Sequence, residues 1–70
     1  MRIRISLEAA RTNARMTQAK WGKTLGVSTA TVVNWESGKT SPSAVQLRKI
    51  SELSGIPMDY IFVPDESISN

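Results

Sequence analysis

Apolar residues recur at helical spacing along most of this chain, and hydroxyl residues and glycines punctuate the pattern. Serine or threonine precedes each periodic segment, where its side-chain oxygen can cap the free N–H groups of a helix. Glycine follows three of the segments, where it can take the left-handed conformation that ends a helix. The predicted helices are Leu7–Arg15 after Ser6, Gln18–Leu25 between Thr17 and Gly26, Thr29–Ser37 between Ser28 and Gly38, and a fourth that Ser43 opens and Gly55 ends after Ser54.

Two segments near the chain ends complete the predicted fold. Pro57 suits the first turn of a short fifth helix over Met58–Phe62. Residues 2–5 alternate charged and apolar side chains with a period of two, which is typical of a strand. Such a strand would pair with an extended segment 61–63 or with a second subunit, and a loosely packed arm explains the pattern equally well. The sequence therefore predicts an all-α, compact five-helix bundle, with an N-terminal arm over 1–5, a domain over 6–63 and a polar tail over 64–70.

The second and third predicted helices are joined by the tight turn Gly26-Val27-Ser28, which favours a helix-turn-helix. In the third helix Val32 and Trp35 face inward by helical spacing, whereas the other side carries small or hydrogen-bonding groups and one valine. That outer side suits contacts with base edges in the major groove of DNA. A plain amphipathic packing helix is the alternative, but the turn and both caps favour the helix-turn-helix. The outward residues are Thr29, Ala30, Val33, Asn34 and Ser37.

Charge is distributed unevenly along the chain. The net charge is +3, and all nine lysines and arginines lie in residues 1–49, where only Glu8 and Glu36 oppose them. That part carries +7, whereas residues 50–70 carry −4. A basic body with an acidic end suits a polyanionic partner that contacts the body alone. An ordinary basic surface would explain the charge equally well without the helix pair.

Missing residue types narrow the function classes. The chain has no cysteine and no histidine, so the commonest thiolate and imidazole metal ligands and the usual general base are absent. The carboxylates are scattered, and there is no glycine-rich phosphate loop. We therefore expect no enzyme activity, no metal and no cofactor. No apolar run approaches the ~20 residues that span a bilayer, and no signal peptide is recognisable, so we expect a cytoplasmic protein without a membrane partner.

Several short motifs keep their mutual offsets over most of the chain: Thr17-Gln18, Leu25-Gly26-Val27-Ser28, Val32, Trp35-Glu36, Gly38-Lys39 and Pro42-Ser43. Together they resemble the Cro/C1-type helix-turn-helix family, also called the xenobiotic-response-element family. Its members include phage repressors, Cro proteins and many small bacterial regulators. The resemblance covers residues 6–62 and implies a λ-repressor-like fold that binds double-stranded DNA. Several positions depart from the family pattern: Lys20 replaces a common acid, Trp21 a leucine and Gly22 an alanine, and Leu53-Ser54 reverses the usual order of a small residue followed by leucine.

The resemblance also implies roles for individual residues. The implied base-reading set is Thr29, Ala30, Val33 and Asn34. The implied phosphate contacts are Gln18, Lys20, Ser28, Ser37, Lys39 and Thr40, although a tolerated surface residue explains Lys20 almost as well. Arg11 and Glu36 match a buried ion pair of many members. The position of Arg11 on an otherwise apolar helix face agrees, because an unpaired charge there would be costly.

Two functions follow from this sequence. The first is a sequence-specific transcriptional regulator, a small phage or prophage-type repressor or Cro-like protein that binds an inverted-repeat operator as a homodimer. The second is a protein-interaction module, such as an antitoxin or antirepressor-type modulator, that binds a regulatory protein partner through Tyr60–Val63. The core is predicted to contain Trp21, Trp35, Leu47, Ile50, Met58 and Ile61. Val45, Leu53, Tyr60 and Phe62 exceed what one core needs, and they form either a dimer surface or contacts with the tail.

Overall fold

Four α-helices and one short pair of strands make up residues 4–63, the part of the chain that the computed structural model describes. The chain begins with strand β1 (Ile5–Ser6) and continues through helices α1 (Leu7–Asn13), α2 (Gln18–Leu25), α3 (Thr29–Ser37) and α4 (Ala44–Ser54). A single 3₁₀ turn (Met58–Tyr60) then leads into strand β2 (Ile61–Phe62). None of these helices combines the length and apolar composition needed to cross a membrane.

The helix boundaries follow the capping residues. Each α-helix starts after a hydroxyl residue whose side-chain oxygen accepts a hydrogen bond from the backbone N–H three residues later, over 3.0–3.2 Å. Three of the helices end at a glycine with positive φ. The predicted bounds of α2 and α3 are confirmed, as is the end of α4. The four capping residues are Ser6, Thr17, Ser28 and Ser43.

Helix α1 is shorter than predicted, because it ends at Asn13 rather than at Arg15. Arg15 takes a left-handed conformation with φ of 61°, and its N–H donates to the Thr12 carbonyl over 2.9 Å. The Met16 N–H then reaches back to the Arg11 carbonyl over 3.3 Å. The chain thus turns towards α2 without the glycine that ends the other three helices, so no stop signal for α1 is visible in the sequence.

The predicted fifth helix is wrong: the domain is mostly helical, as the predicted all-α fold requires, but it has four α-helices and a short strand pair instead of five helices. Residues 58–60 form only a 3₁₀ turn, and Ile61–Phe62 is extended and pairs in parallel with Ile5–Ser6. An isolated five-residue helix has too few hydrogen bonds to offset its nucleation cost. Strand pairing instead gives the backbone partners while it buries Ile61. Of the alternatives for the N-terminal arm, pairing within the subunit is the one observed; residues 1–3 and the tail 64–70 lie outside the described residues.

One hydrophobic core joins the four α-helices and β2. Both tryptophans are buried in it, as predicted, and Leu47 packs against it from a half-buried position. Met58 was predicted to be core and is 37% exposed, because the 3₁₀ turn does not carry it inward as a fifth helix would. The buried hydrophobic residues are Leu7, Ala10, Trp21, Leu25, Val32, Trp35, Ile50 and Ile61.

Gly22 allows α2 to approach the turn that leads into α3. A Cβ atom at this position would lie 2.8 Å from the backbone oxygen of Val27 and 3.2 Å from the backbone carbonyl carbon of Ser28. Backbone atoms cannot rotate away as a flexible side chain can, so any larger residue would push the turn outward. The absence of a side chain at Gly22 is therefore what lets α2 lie so close to the turn.

Candidate nucleic-acid interface

The outer face of α3 is formed by side chains that the core leaves in solvent. Thr29, Ala30 and Ser37 are exposed, Val33 is 40% exposed and Asn34 is half-buried, whereas Val32 and Trp35 are buried on the opposite side. Within residues 4–63 the hydrogen bonds of α3 leave the Thr29 hydroxyl and the Asn34 amide group unpaired. An amide donor and acceptor, methyl groups and a hydroxyl are therefore available together on this face.

The loop after α3 is folded against the end of the helix. The Asn34 carbonyl accepts hydrogen bonds from the backbone N–H of Lys39 over 2.9 Å, from that of Thr40 over 3.3 Å and from the Ser37 hydroxyl over 3.2 Å. Gly38 makes this reversal possible with φ of 85°. The side chains of Lys39 and Thr40 are exposed beside the helix end. The Ser37 hydroxyl hydrogen is already used inside the protein, so in this conformation only its oxygen lone pairs remain for a ligand.

The start of α3 carries Ser28, which was predicted to lie on a phosphate. Its Oγ accepts from the Thr31 N–H over 3.1 Å and lies 2.9 Å from the Thr31 hydroxyl oxygen. Ser28 is exposed, as is Lys20 near the start of α2. The structure therefore gives Ser28 a capping role, and it leaves the side chain within reach of solvent.

The structure brings Arg11 and Glu36 into contact across the domain. Arg11 Nε lies 2.7 Å from Glu36 Oε2, and Nη2 lies 3.3 Å from Oε1, so the guanidinium binds the carboxylate through two N–H groups. The Arg11 and Glu36 side chains are only 14% and 8% exposed. Nη1 also donates to the Met16 carbonyl over 2.9 Å. One guanidinium therefore joins α1, the end of α3 and the segment just before α2.

Gln18 belongs to the same network, although nothing in the sequence indicates it. Its Nε2 donates to Glu36 Oε1 over 3.0 Å, so the residue expected to contact a phosphate is also tied to the end of α3. No local pattern relates the first residue of α2 to the penultimate residue of α3. The only sequence feature at this position is a polar residue beside the Thr17 cap, and that feature favoured contact with a DNA phosphate rather than with Glu36.

A second group of exposed side chains lies towards the end of the chain. Val45 on α4 is 63% exposed and Tyr60 is 52% exposed, and Leu53, Met58 and Phe62 are also exposed. The Arg4 guanidinium carbon lies 5.8 Å from the centre of the Phe62 ring, within cation–π range. Among residues 4–63, no cluster of acidic side chains could hold a metal ion.

The family comparison agrees with this geometry. A family model described as helix-turn-helix matches residues 7–61, which includes all four α-helices and the first residue of β2. No curated protein and no solved structure gave a significant match. The matched segment covers most of the chain, and the paired helices α2 and α3, their tight turn and the exposed face of α3 lie inside it. The chain belongs to the Cro/C1-type helix-turn-helix family, whose members are DNA-binding regulators of transcription.

Proposed function

We propose that this protein recognises a short DNA sequence by placing the outer face of α3 in the major groove. The observation that carries the proposal is the exposure of Val33 and Thr29 on a helix whose other side is locked into the core. A rigid helix with small exposed side chains can approach base edges closely. An exposed valine among polar neighbours is otherwise unfavourable in water.

The base-reading set would consist of four residues on that face. The amide of Asn34 can donate to and accept from adenine at once, and the carbons of Val33 and Ala30 can contact thymine methyl groups. Thr29 can contact a thymine methyl group through its own methyl group or form a hydrogen bond to a base edge through its hydroxyl group. We therefore expect a half-site in which A·T pairs are prominent.

The phosphate contacts would surround this face and fix its register on the duplex. Lys20 and Lys39 would supply charge, and Gln18, Ser28 and Thr40 would supply hydrogen bonds. Ser37 would join them once its hydroxyl turns from the Asn34 carbonyl to a phosphate oxygen. Lys39 and Thr40 are held beside the end of α3 by their backbone bonds to Asn34. Residues 1–49 carry the positive charge that such contacts require.

Two copies on an inverted repeat would explain specific binding by so small a reading surface, because one helix contacts only a few base pairs. The exposed apolar residues of α4 and of the segment after it are available for contact between the copies. In this form the protein would act in the cytoplasm as a small phage or prophage-type repressor or as a Cro-like protein.

The same apolar side chains favour a second candidate function. Tyr60, Phe62 and Met58 are exposed on a short turn and strand outside the helix-turn-helix, which is a place for a protein partner rather than for DNA. In that case the protein would be an antitoxin or antirepressor-type modulator, and its DNA binding would depend on the partner.

Selection of bound fragments from a random duplex library near physiological salt separates these functions. An enriched inverted repeat would support a dimeric regulator, and a single enriched half-site would support a monomer or a weak dimer. Absence of enrichment would contradict the proposal and favour the partner-dependent module.

Matched variants then test the role of α3. Val33→Asp should abolish enrichment, because a carboxylate on the reading face repels phosphates and cannot contact a methyl group. Ala9→Asp introduces the same charge at an exposed position on α1, outside both the reading face and the proposed contact between copies, and the enriched sequence should persist. Equal losses in the two variants would argue against reading by α3.

A further inference from the structure

The network around Glu36 fixes the orientation of the Gln18 side chain. A carboxylate is only an acceptor, so the contact of 3.0 Å to Glu36 Oε1 must be made by the amide nitrogen and not by the amide oxygen. One of the two N–H groups is then used inside the protein. Gln18 is half-buried, and in residues 4–63 its side chain makes no second hydrogen bond. One N–H and the carbonyl oxygen remain, each in a direction set by Glu36.

Glu36 is itself held in place. Both of its oxygens accept from Arg11, at 2.7 and 3.3 Å, and its side chain is almost fully buried. The same guanidinium binds the Met16 carbonyl, directly before the Thr17 cap of α2. The carboxylate and the start of α2 are thus fixed by one group, and the Gln18 amide lies between them.

The ion pair also removes an electrostatic conflict. A lone carboxylate beside a phosphate contact would repel DNA, but the bound guanidinium compensates the charge of Glu36 locally. What Glu36 then contributes is orientation. A donor that is already oriented loses less side-chain entropy on binding than a free glutamine does.

We propose that Glu36 is a positioning residue for DNA binding, since it holds the Gln18 amide so that the second N–H is presented to one DNA phosphate. The inference rests on the proposed function, in which Gln18 contacts the backbone. It extends that function by giving the ion pair a role in phosphate recognition beyond its contribution to folding.

A phosphate scan tests this inference. The duplex enriched by the selection is synthesised with each phosphate in turn replaced by a neutral methylphosphonate, and its affinity is measured with wild-type protein, Gln18→Met and Glu36→Gln. The wild type should lose about tenfold at the phosphate that Gln18 contacts, the loss expected for a hydrogen bond to a charged group. Gln18→Met should bind more weakly and show no further loss there. With Glu36→Gln, neutralising that phosphate should cost less than about a third of the affinity loss seen with the wild type, and the losses at all other phosphates should be unchanged.

Glu8→Gln is the matched control. It removes one negative charge near the same guanidinium, since Glu8 Oε2 lies 4.0 Å from Arg11 Nη2, but its side chain is 69% exposed and does not contact Gln18. Its phosphate profile should equal that of the wild type. A shift like that of Glu36→Gln would show that charge, and not positioning, is responsible, and would overturn the inference.

A variant without the buried charges covers the case in which Glu36→Gln fails to fold. The double variant Arg11→Met/Glu36→Met replaces the ion pair by apolar groups, a change that buried pairs often tolerate. It should also lose the penalty at the Gln18 phosphate while it retains base preference. A full penalty in either folded Glu36 variant would overturn the inference. Identical wild-type and Gln18→Met profiles would overturn it too but leave the regulator intact, whereas a wild type insensitive at every phosphate would contradict the proposed function itself.

Discussion

The α2–α3 pair and the chain ends, which are joined by the pairing of β1 with β2, show two different ways in which this small domain is held together. The helix pair is bounded by caps that lie within the segment itself, at Thr17, Gly26, Ser28 and Gly38. The chain ends depend on residues far apart in sequence, because Ile5 pairs with Ile61. Local interactions can be recognised from a short stretch of sequence, whereas the β1–β2 pair exists only once the helices have brought the ends together.

The two regions also differ in what they expose. The helix pair buries its aromatic residues and presents a polar outer face with one valine, whereas the chain ends bury Ile61 and expose Tyr60 and Phe62. The first exposed surface carries groups that can contact base edges, and the second carries apolar groups that suit contact with a protein partner. The difference separates the two candidate functions by region, so variants in one region should leave the activity of the other intact.

The largest expected effect breaks the ion pair that ties the helix pair to α1. Arg11→Ala leaves the Glu36 carboxylate buried without its partner, and loss of one member of a buried pair costs about 3–5 kcal/mol. We expect a loss of this size in the free energy of unfolding, measured by urea denaturation, without a change in base preference at temperatures where the variant is folded. Glu8→Ala removes the exposed carboxylate near Arg11 and should change stability by less than about 0.5 kcal/mol. Equal effects of the two variants would show that burial of the pair contributes nothing.

The next effect tests whether the chain ends belong to the core. Ile61→Ala removes a buried side chain and should lower the free energy of unfolding by about 2–4 kcal/mol, as in other cores. Phe62→Ala, at the adjacent but exposed position, should lower it much less. The comparison is made by thermal and urea unfolding. A larger loss for Phe62→Ala would mean that β2 packs with its other face inward.

A smaller effect concerns recognition by the helix pair. Asn34→Ala should weaken binding to the selected DNA by about 1–3 kcal/mol and relax preference at one base pair, because the bidentate contact with adenine is lost. Lys39→Ala should instead weaken binding to all sequences alike and lower the magnitude of the salt slope by about one. Titrations on a set of single-base operator variants at several salt concentrations distinguish the two. Uniform loss for Asn34→Ala would contradict its assignment to base reading.

The smallest expected effect compares helix propensity with tertiary packing at one position of α2. Gly22→Ala improves helix propensity by roughly 1 kcal/mol, but its Cβ would meet the Val27 backbone oxygen at 2.8 Å. Overpacking of this kind costs about 1–3 kcal/mol, so we expect a net loss of about 1 kcal/mol in thermal unfolding. Ala19→Gly, on the exposed side of α2, should cost about as much through propensity alone. A stabilised Gly22→Ala variant would show that the turn can move outward.

Particular residues show why part of the fold was predictable. Ser28 and Gly38 bound α3 through contacts with atoms three to four residues away, so the sequence alone places both ends of the helix. Arg15 has no such signal, because its left-handed conformation is imposed by the chain turning from α1 into α2. The segment Met58–Phe62 has apolar spacing compatible with a helix, and pairing with Ile5–Ser6 decided the outcome.

The candidate site divides in the same way. The outward set on α3 follows from helical periodicity, which fixes the direction of every side chain relative to Val32 and Trp35. The hydrogen bond between Gln18 and Glu36 cannot be predicted from helical periodicity. It joins two helices whose relative position depends on packing around Gly22 and the turn. The sequence by itself determined the four helices, their N-terminal caps, the glycines that end three of them and the face of α3, because those features depend on neighbours along the chain. The tertiary structure alone decided the β1–β2 pair and the bond that adds Gln18 to the Arg11–Glu36 pair, because each needs groups that only the assembled core brings within hydrogen-bonding distance.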